Sequence, residues 1–222
     1  MGKKLAIIHT TPVTVEPLKQ LAAQLIPDCE VINFVDDSIL PQLAANGGDL
    51  SEVEERLCTY ARFAGKLGAD AILNACSSVG ELVPKMRGEV AVPIVRIDEA
   101  MAERAVREGG KIGVAATLQT TLMPTMNLLR SKAQEAGKDV RLIPLLADQA
   151  YAKLIAGDRE GHDAVLTEAL EKLLVEADLV VLAQASMARV IERLPEAMRP
   201  RVTTSPELGM RRVREVMTGA RM

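Results

Sequence analysis

The sequence has very few aromatic residues: no tryptophan, two tyrosines and two phenylalanines, together 2% of its 222 residues. Without such rings, the chain has no platforms on which the bases of a single-stranded nucleic acid could stack. Hydrophobic residues nevertheless make up 48% of the chain. The core must therefore be built from aliphatic side chains, and this much apolar mass argues against a disordered chain.

An excess of charge of either sign is also missing. The chain has 27 Lys and Arg against 30 Asp and Glu, a net charge of −3, and its basic residues are scattered. This distribution argues against nucleic acid as a partner. The sequence also lacks the glycine-rich patterns that bind dinucleotides or nucleoside triphosphates, the HExxH pattern of zinc proteases and the GxSxG pattern of serine hydrolases.

Cysteines are few, and long apolar runs are absent. Cys29, Cys58 and Cys76 are an odd number without paired spacing, which fits neither a disulfide scaffold nor a zinc site. No run approaches 18 apolar residues, so we expect no membrane partner. The apolar run near the start is too short for a signal peptide. We therefore expect a cytoplasmic protein with reduced thiols.

Short apolar runs alternate with amphipathic segments along the chain. The predicted strands are 5–8, 31–35, 71–75, 92–97, 112–116, 140–146, 179–182 and 202–204. Their near-continuous apolar character is typical of strands buried on both faces. Helices are predicted at about 51–67 and about 162–177. This alternation predicts parallel sheets, whose ligands bind beyond the carboxyl ends of the strands.

The sequence repeats itself at an offset of about 107 residues. Residues 6–18 (AIIHTTPVTVEPL) align with 113–125 (GVAATLQTTLMPT), which pairs Thr10 with Thr117. Residues 70–82 and 178–190 align at an offset of 108, which pairs Cys76 with Gln184. Two such pairs favour duplication over a chance likeness between strand–turn–helix units. We therefore predict an α/β fold of two pseudo-symmetric lobes, each a short parallel sheet flanked by helices, with the active-site cleft between them.

Cys76 is the cysteine best placed for chemistry. It follows a predicted buried strand and precedes a short helix, where the helix dipole and free N–H groups favour a thiolate. The alternative is a small buried hydrophobe, the commonest fate of a free cysteine. Cys29 and Cys58 are interpreted as structural.

Hydroxyl-bearing residues follow several of the predicted strands. Such residues at helix starts bind anions, although ordinary helix capping uses the same types. His9 ends the first strand and could relay protons, with a histidine satisfied within the fold as the equal alternative. His162 is interpreted as part of a surface turn and is given no role.

Three segments in this order and spacing resemble the aspartate/glutamate/hydantoin racemase superfamily: ILNACSSVGE, GVAATLQTTLMPTM and LVVLAQASM. The resemblance implies a C-terminal helix at about 209–217 that returns to the first lobe. The lobes would then be 1–97 plus about 205–222, and 98–204. It also implies that no metal or organic cofactor is needed. Two cysteines, one per lobe, would flank the α-carbon of a small carboxylate, one removing a proton and the other delivering one.

The resemblance makes Cys76 the first-lobe cysteine and places the second-lobe cysteine at Gln184, whose amide transfers no proton at a useful pKa. Cys76 and His9 are the expected catalytic residues. The expected substrate-binding residues are Thr10, Thr11, Ser77, Ser78, Thr117, Thr120, Thr121, Gln184 and Ser186.

We therefore expect a cofactor-independent enzyme of racemase, isomerase or decarboxylase type. It would act at the α-carbon of a small carboxylate such as an amino acid, hydantoin or malonate, with one cysteine as acid/base or nucleophile. One alternative is a hydrolase or lyase with Cys76 as nucleophile and His9 as its base. Another is a non-catalytic carboxylate-binding protein. The expected partner is a small anionic substrate, and the composition permits a homodimer without requiring one.

Overall fold

The computed structural model describes residues 2–219 and contains two four-stranded parallel sheets flanked by helices. The predicted α/β fold of two parallel-sheet lobes is confirmed. Backbone contacts divide the chain into two compact units. The first takes in the chain up to Ile97 and again from Pro206, and the second is Asp98–Ser205.

All eight predicted strands are present, with ends within two residues of the expected ones. They are β1 Lys4–His9, β2 Glu30–Val35, β3 Ala71–Asn74, β4 Ile94–Arg96, β5 Lys111–Ala116, β6 Arg141–Leu146, β7 Leu179–Leu182 and β8 Val202–Thr204. The first sheet has the order β2-β1-β3-β4 and the second β6-β5-β7-β8, so the two sheets have the same topology.

The α-helices of the described residues lie between and after these strands. They are α1 Val15–Leu25, α2 Ile39–Ala45, α3 Ser51–Lys66, α4 Val83–Glu89, α5 Glu99–Glu108, α6 Gln119–Glu135, α7 Asp148–Ile155, α8 Arg159–Glu176 and α9 Ser205–Thr218. Two 3-10 helices, Ser77–Leu82 and Ala185–Arg193, follow β3 and β7 and are called the 77–82 and 185–193 helices below. No helix within residues 2–219 is long and apolar enough to cross a membrane.

Strand β1, an inner strand of the first sheet, is buried on both faces, as its apolar run predicts. Leu5 and Ile7 face one hydrophobic cluster, and Ala6 and Ile8 face another. Two of the four edge strands differ from the prediction: β2 and β6 are only half-buried, whereas β4 and β8 are mostly buried. The apolar runs by themselves did not reveal this difference.

Two local features also differ from the sequence-based expectations. The repeat pairs Pro124 with Pro17, and a proline suits the first turn of a helix, but Pro124 is the sixth residue of α6. His162, interpreted as part of a surface turn, is 1% exposed. Asp158 caps α8 by accepting a hydrogen bond from Gly161 N at 2.8 Å, so the helix begins before His162 and turns its side chain inward.

The two units repeat each other in detail. β1 and β5 begin at Lys4 and Lys111, the offset of 107 found in the sequence. Asp70 accepts a hydrogen bond from Lys4 N at 2.7 Å, and Asp178 accepts one from Lys111 N at the same distance. The repeat therefore preserves how each unit joins the start of its central strand to the strand beside it.

The C-terminal helix packs against the first sheet. Met210 and Val213 of α9 are fully buried in one cluster with Leu5 and Val95. Gly209 lies so close to Ile97 that a Cβ at this position would be 2.6 Å from the Ile97 carbonyl oxygen. The first unit is thus completed by a helix that follows the second unit in sequence.

Candidate functional site

Cys76 lies two residues beyond the carboxyl end of β3. Its backbone (φ −132°, ψ 118°) is extended, and it is the N-cap of the 77–82 helix. The backbone N–H of Cys76 donates to Asn74 Oδ1 at 3.0 Å. Asn74 is fully buried at the end of β3, with Nδ2 3.9 Å from Met86 Sδ. Asn74 therefore fixes the direction in which the chain leaves the strand, a role that the sequence analysis missed.

Four groups lower the pKa of the Cys76 thiol through hydrogen bonding. They are the Thr10 hydroxyl, the backbone N–H groups of Ser78 and Val79, and the Ser78 hydroxyl. The two N–H groups belong to the first turn of the 77–82 helix, where backbone donors have no partner within the helix. The arrangement is a nest of donors that suits a thiolate better than a neutral thiol.

Burial opposes these donors. Cys76 is only 9% exposed, and burial raises the pKa of its thiol, while the hydrogen bonds from Thr10, Ser78 and Val79 lower it. The net result is a pKa above the ordinary value. The helix start acts in the expected direction, but burial outweighs it. At neutral pH the resting group is therefore a thiol, and the donors around it stabilise the thiolate that forms when its proton passes to another group.

His9 is fully buried and held at both ring nitrogens. Nδ1 lies 2.8 Å from Thr14 Oγ1, and Nε2 lies 2.9 Å from Asn33 Oδ1. With the Asn33 carbonyl oxygen as acceptor, the ring proton sits on Nε2 and Nδ1 accepts from Thr14. Burial lowers the pKa of His9, and the hydrogen bond to Asn33 offsets only part of this effect. The neutral form is thus favoured.

Strand alternation separates His9 from the cysteine. Successive side chains of a strand point to opposite faces, so His9 shares a face with Leu5 and Ile7. Thr10 points to the other face, where Cys76 joins a different hydrophobic cluster. The hydrogen bonds of His9 go to Thr14 and Asn33. The structure therefore places the two predicted catalytic residues on opposite faces of the first sheet.

The other predicted residues of the first unit divide into two roles. Thr10 and Ser78 reach the sulfur. Thr11 is the N-cap of the short 3-10 helix Pro12–Thr14, and its Oγ1 accepts from Val13 N at 3.4 Å. Ser77 is 7% exposed and lies directly after Cys76. Thr11 thus caps this helix through its hydroxyl oxygen, a bond that does not use the hydroxyl hydrogen.

In the second unit, Gln184 takes the place of the cysteine. It lies two residues beyond β7 and is the N-cap of the 185–193 helix, with φ −124° and ψ 136°, close to the values at Cys76. Gln184 Oε1 accepts hydrogen bonds from Thr117 N at 2.7 Å and from Thr117 Oγ1 at 3.1 Å. The structure thus brings together the pair that the sequence repeat aligns with Cys76 and Thr10.

The remaining predicted residues of this unit lie at the same edge of its sheet. Thr120 is half-buried and Thr121 is 3% exposed, both in the first turn of α6, which follows β5. Ser186 is half-buried in the first turn of the 185–193 helix, which follows β7. Hydroxyl groups and helix starts therefore lie at the same sheet edge as Gln184, a polar setting suited to a carboxylate.

A charged cluster that the sequence did not reveal anchors the 185–193 helix. Arg189 Nε lies 3.0 and 3.1 Å from the two carboxylate oxygens of Asp163, and His162 Nδ1 lies 2.7 Å from Asp163 Oδ1. Burial raises the pKa of Asp163, but the hydrogen bonds from Arg189 and His162 together lower it by more. The pKa of Asp163 therefore lies below its ordinary value. Asp163 and Arg189 are 26 residues apart, and no local pattern links them.

Metal-ligating side chains do not gather in the described part of the chain. Within residues 2–219, no group of three or more His, Cys, Asp or Glu side chains is placed to hold a metal ion. The three cysteines are free, with Cys58 and Cys76 buried and Cys29 half-buried. The polar groups of the two sheet edges are thus mainly hydroxyls, amides and one thiol.

Comparison with known proteins gives a family match over most of the chain. The family model described as Asp/Glu/Hydantoin racemase matches residues 7–213. Among solved structures, glutamate racemase from Francisella tularensis in complex with D-glutamate has a TM-score of 0.77 and 13% identity, and covers 98% of this chain and 82% of its own. Aspartate racemase from Picrophilus torridus has a TM-score of 0.76 and 15% identity, and covers 100% of this chain and 96% of its own.

Similarity extends to a protein with another activity. A Gly-to-Cys mutant of arylmalonate decarboxylase, in a sulfate-associated form, has a TM-score of 0.56 and 16% identity, and covers 98% of this chain and 94% of its own. No curated protein sequence matches the chain significantly. At these identities the structural matches establish the fold, and one fold supports several reactions.

Proposed function

The chain belongs to the Asp/Glu/hydantoin racemase family, and from this premise we propose that it is a cofactor-independent enzyme acting at the α-carbon of a small carboxylate. Cys76 is the proposed proton-transferring group. The observation that carries the proposal is the position of Cys76 as the N-cap of the 77–82 helix, where hydrogen bonding from Thr10, Ser78 and Val79 lowers the pKa of its thiol. A cysteine that served only to fill the core would not need this polar cradle.

The chemistry follows from the two states of the thiol. As a thiolate, Cys76 removes the α-proton, the C–H electron pair passes to the carbon, and the proton forms the S–H bond. As a thiol, it returns a proton to such a carbanion and becomes the thiolate that the four donors stabilise. Because burial favours the thiol at rest, protonation of a carbanion is the easier first step. A malonate that loses CO₂ would supply such a carbanion.

Gln184 determines which reactions this proposal includes. Its amide cannot transfer a proton. The residue at the position that the resemblance assigns to a second thiol therefore cannot act as an acid or base. We assign Gln184 to substrate binding through Nε2, because Oε1 is already occupied by Thr117. The reaction is then decarboxylation, or proton exchange on one face of the α-carbon. Racemisation of an amino acid or hydantoin would need a second acid.

The other predicted residues take supporting roles in this proposal. Ser77 and Thr11 at the first sheet edge, and Thr120, Thr121 and Ser186 at the second, supply hydroxyls for oxygen atoms of the substrate. His9 is assigned to positioning. Both of its nitrogens are bound, and its side chain fixes the end of β1, from which the next residue, Thr10, reaches the sulfur.

Isotope exchange tests the proposal directly. The protein is incubated in D₂O with malonates, hydantoins and α-amino or α-hydroxy acids, while α-deuteration, CO₂ release and enantiomer composition are followed. We expect deuteration or CO₂ release that is lost in Cys76→Ser and retained in the matched control Cys29→Ser. Activity that survives in Cys76→Ser would remove the thiol from the mechanism. Carboxylate binding without turnover, measured by calorimetry, would favour a binding protein instead.

The cytoplasmic location and the possibility of a homodimer stay predictions beside this proposal. Cell fractionation tests the first, with the protein expected in the cytoplasmic fraction. Light scattering tests the second, through the mass of the particle in solution.

A further inference from the structure

Arg96 is a buried arginine that neither the sequence analysis nor the proposed reaction uses. It ends β4 and is 8% exposed. In the register of β3 and β4, Arg96 lies directly across from Asn74, the residue that binds the Cys76 backbone N–H. Residues paired in this way point to the same face of a parallel sheet. Arg96 is therefore on the face that carries the thiol.

The guanidinium of Arg96 lies against Gly80. A Cβ at Gly80 would overlap Nε and Cζ of Arg96 and would be 2.7 Å from Nη2. Three guanidinium atoms at such distances from one point mean that the planar group covers the glycine Cα. Gly80 belongs to the 77–82 helix, whose first turn carries the N–H groups bound to the sulfur. Only a residue without a side chain allows this contact.

The second unit provides an internal comparison. At the offset of 108, Thr204 stands where the first unit has Arg96, and Ala188 stands where it has Gly80. Thr204 pairs with Leu182 in the same register as Arg96 with Asn74. The buried arginine and its glycine thus occur in the unit that carries a thiol and are replaced in the unit that carries Gln184.

We propose that Arg96 is a positioning residue for Cys76: its guanidinium, seated on Gly80, holds the 77–82 helix so that the Ser78 and Val79 N–H groups stay aimed at the sulfur. The planar group fills a flat space that the flexible ammonium of a lysine would not fill. This inference rests on the proposed function only in that Cys76 is the reacting group. The state of the thiol can be measured without any substrate.

The test is the pH dependence of Cys76 alkylation. The protein is treated with iodoacetamide between pH 7 and 10, and peptide mass spectrometry follows modification of Cys76 and, as a monitor of unfolding, of the buried Cys58. We expect Gly80→Ala and Arg96→Met to raise the apparent pKa of Cys76 by about one unit, the effect of about one lost hydrogen bond to the thiolate. Arg96→Lys should raise the apparent pKa by most of this amount too, because the flat contact is lost.

Gly88→Ala is the matched control, since a Cβ at Gly88 in α4 meets nothing within 4 Å. It should leave the Cys76 profile unchanged. A wild-type profile in Gly80→Ala or in the folded Arg96 variants would overturn the proposal, as would faster alkylation at every pH without a shift in midpoint. An inactive wild type that still shows the expected shifts would contradict the proposed function but not the role of Arg96.

Discussion

Thr117 holds Gln184 by the carbonyl end of its side chain, with the backbone N–H at 2.7 Å and the hydroxyl at 3.1 Å from Oε1. The same threonine position in the first unit, Thr10, donates its hydroxyl to Cys76. Each unit therefore uses a threonine at the end of its central strand to orient the residue that caps the next 3-10 helix. The two units thus share the threonine and the helix cap, but the capping residue carries a thiol in the first unit and an amide in the second.

The first prediction concerns Thr10→Val, which removes a hydroxyl and keeps the shape of the side chain. Loss of this donor to the sulfur should raise the pKa of Cys76 further, because the thiolate loses one of its hydrogen bonds. We expect alkylation by iodoacetamide at pH 8 to slow about tenfold, equivalent to about 1.4 kcal/mol. Thr117→Val makes the same change in the other unit and should leave the rate unaltered; equal rates in all three proteins would refute this role of Thr10.

The second prediction concerns His9 and acid. Because burial lowers the pKa of His9 in the folded protein, the unfolded chain takes up a proton first as the pH falls below about 6.5. The contribution to stability is therefore complete above that pH and is lost as the pH falls toward the lower pKa of the folded state, with a slope of up to about 1.4 kcal/mol per unit.

Urea unfolding at pH 5, 6, 7 and 8 measures this slope. His9→Gln keeps an N–H donor for Asn33 but cannot be protonated. It should be less stable than wild type at pH 8, with a smaller fall in the free energy of unfolding between pH 6.5 and 5. Parallel pH curves for the two proteins would show that His9 does not titrate on unfolding.

The third prediction concerns the Asp163 carboxylate that binds Arg189 and His162. Asp163→Asn leaves Arg189 without its anion, and we expect a loss of about 1–3 kcal/mol at pH 7, less than for a fully buried pair because Arg189 is partly exposed. Since the folded pKa of Asp163 is lowered, its stabilisation is present above the unfolded value of about 3.9 and is lost as the pH falls through the folded value.

Thermal unfolding at pH 7 and pH 3 measures both the loss of stability in Asp163→Asn and its dependence on pH. The gap in melting temperature between wild type and Asp163→Asn should narrow at pH 3. Glu168→Gln, on the same helix, breaks an exposed pair with Lys172 and should change the melting temperature little, since surface pairs contribute little. If Asp163→Asn lowered the melting temperature at pH 7 as little as Glu168→Gln does, the cluster of Asp163, Arg189 and His162 would not stabilise the fold.

The fourth prediction concerns Gly209, where α9 approaches the first sheet. An added Cβ would lie 2.6 Å from the Ile97 carbonyl oxygen and 2.9 Å from its Cγ1. The backbone cannot easily give way, so Gly209→Ala should cost about 1–3 kcal/mol, more than the helix gains from alanine, about 1 kcal/mol. Gly88→Ala, in open space, should be neutral or stabilising. Chemical denaturation measures both, and a stabilised Gly209→Ala would disprove the close contact.

The sequence predicts the sheets well because their information is local and repeated. All eight strands are apolar runs of strand length. The repeat pairs Asp70 with Asp178 at an offset of 108, and the backbone N–H groups that they bind, those of Lys4 and Lys111, at an offset of 107. Burial was predicted less well. Whether a run such as 31–35 lies at the edge of a sheet depends on strand order, which apolar content does not encode.

The sequence predicted the site residues that come directly after strands. It did not predict which face of the sheet each side chain lies on. Cys76 and Thr10 both follow strands, and their hydrogen bond joins the two positions. His9 precedes Thr10 by one residue, and that single step puts its ring on the opposite face, bound to Asn33 and Thr14. The pairing of Asp163 with Arg189 links two helices through side chains, which no sequence spacing reveals.

The last prediction concerns the amide at position 184. In Gln184→Cys, a thiol would stand at a helix cap whose backbone angles resemble those at Cys76. The Thr117 N–H and hydroxyl that now bind Oε1 would be donors for its thiolate. On the proposed function, the wild type exchanges the α-proton of one enantiomer without forming the other.

The variant should therefore gain formation of the opposite enantiomer, because the resemblance assigns the second proton transfer to a thiol at this sequence position. Chiral chromatography of an enantiopure substrate that the wild type deuterates measures the gain, with Gln184→Ser as a control of similar size that lacks the thiol. If Gln184→Cys still exchanges the proton but forms only the starting enantiomer, the amide is not what restricts the wild type to one face. The restriction would then lie with the groups that hold the substrate, such as Thr120 and Ser186.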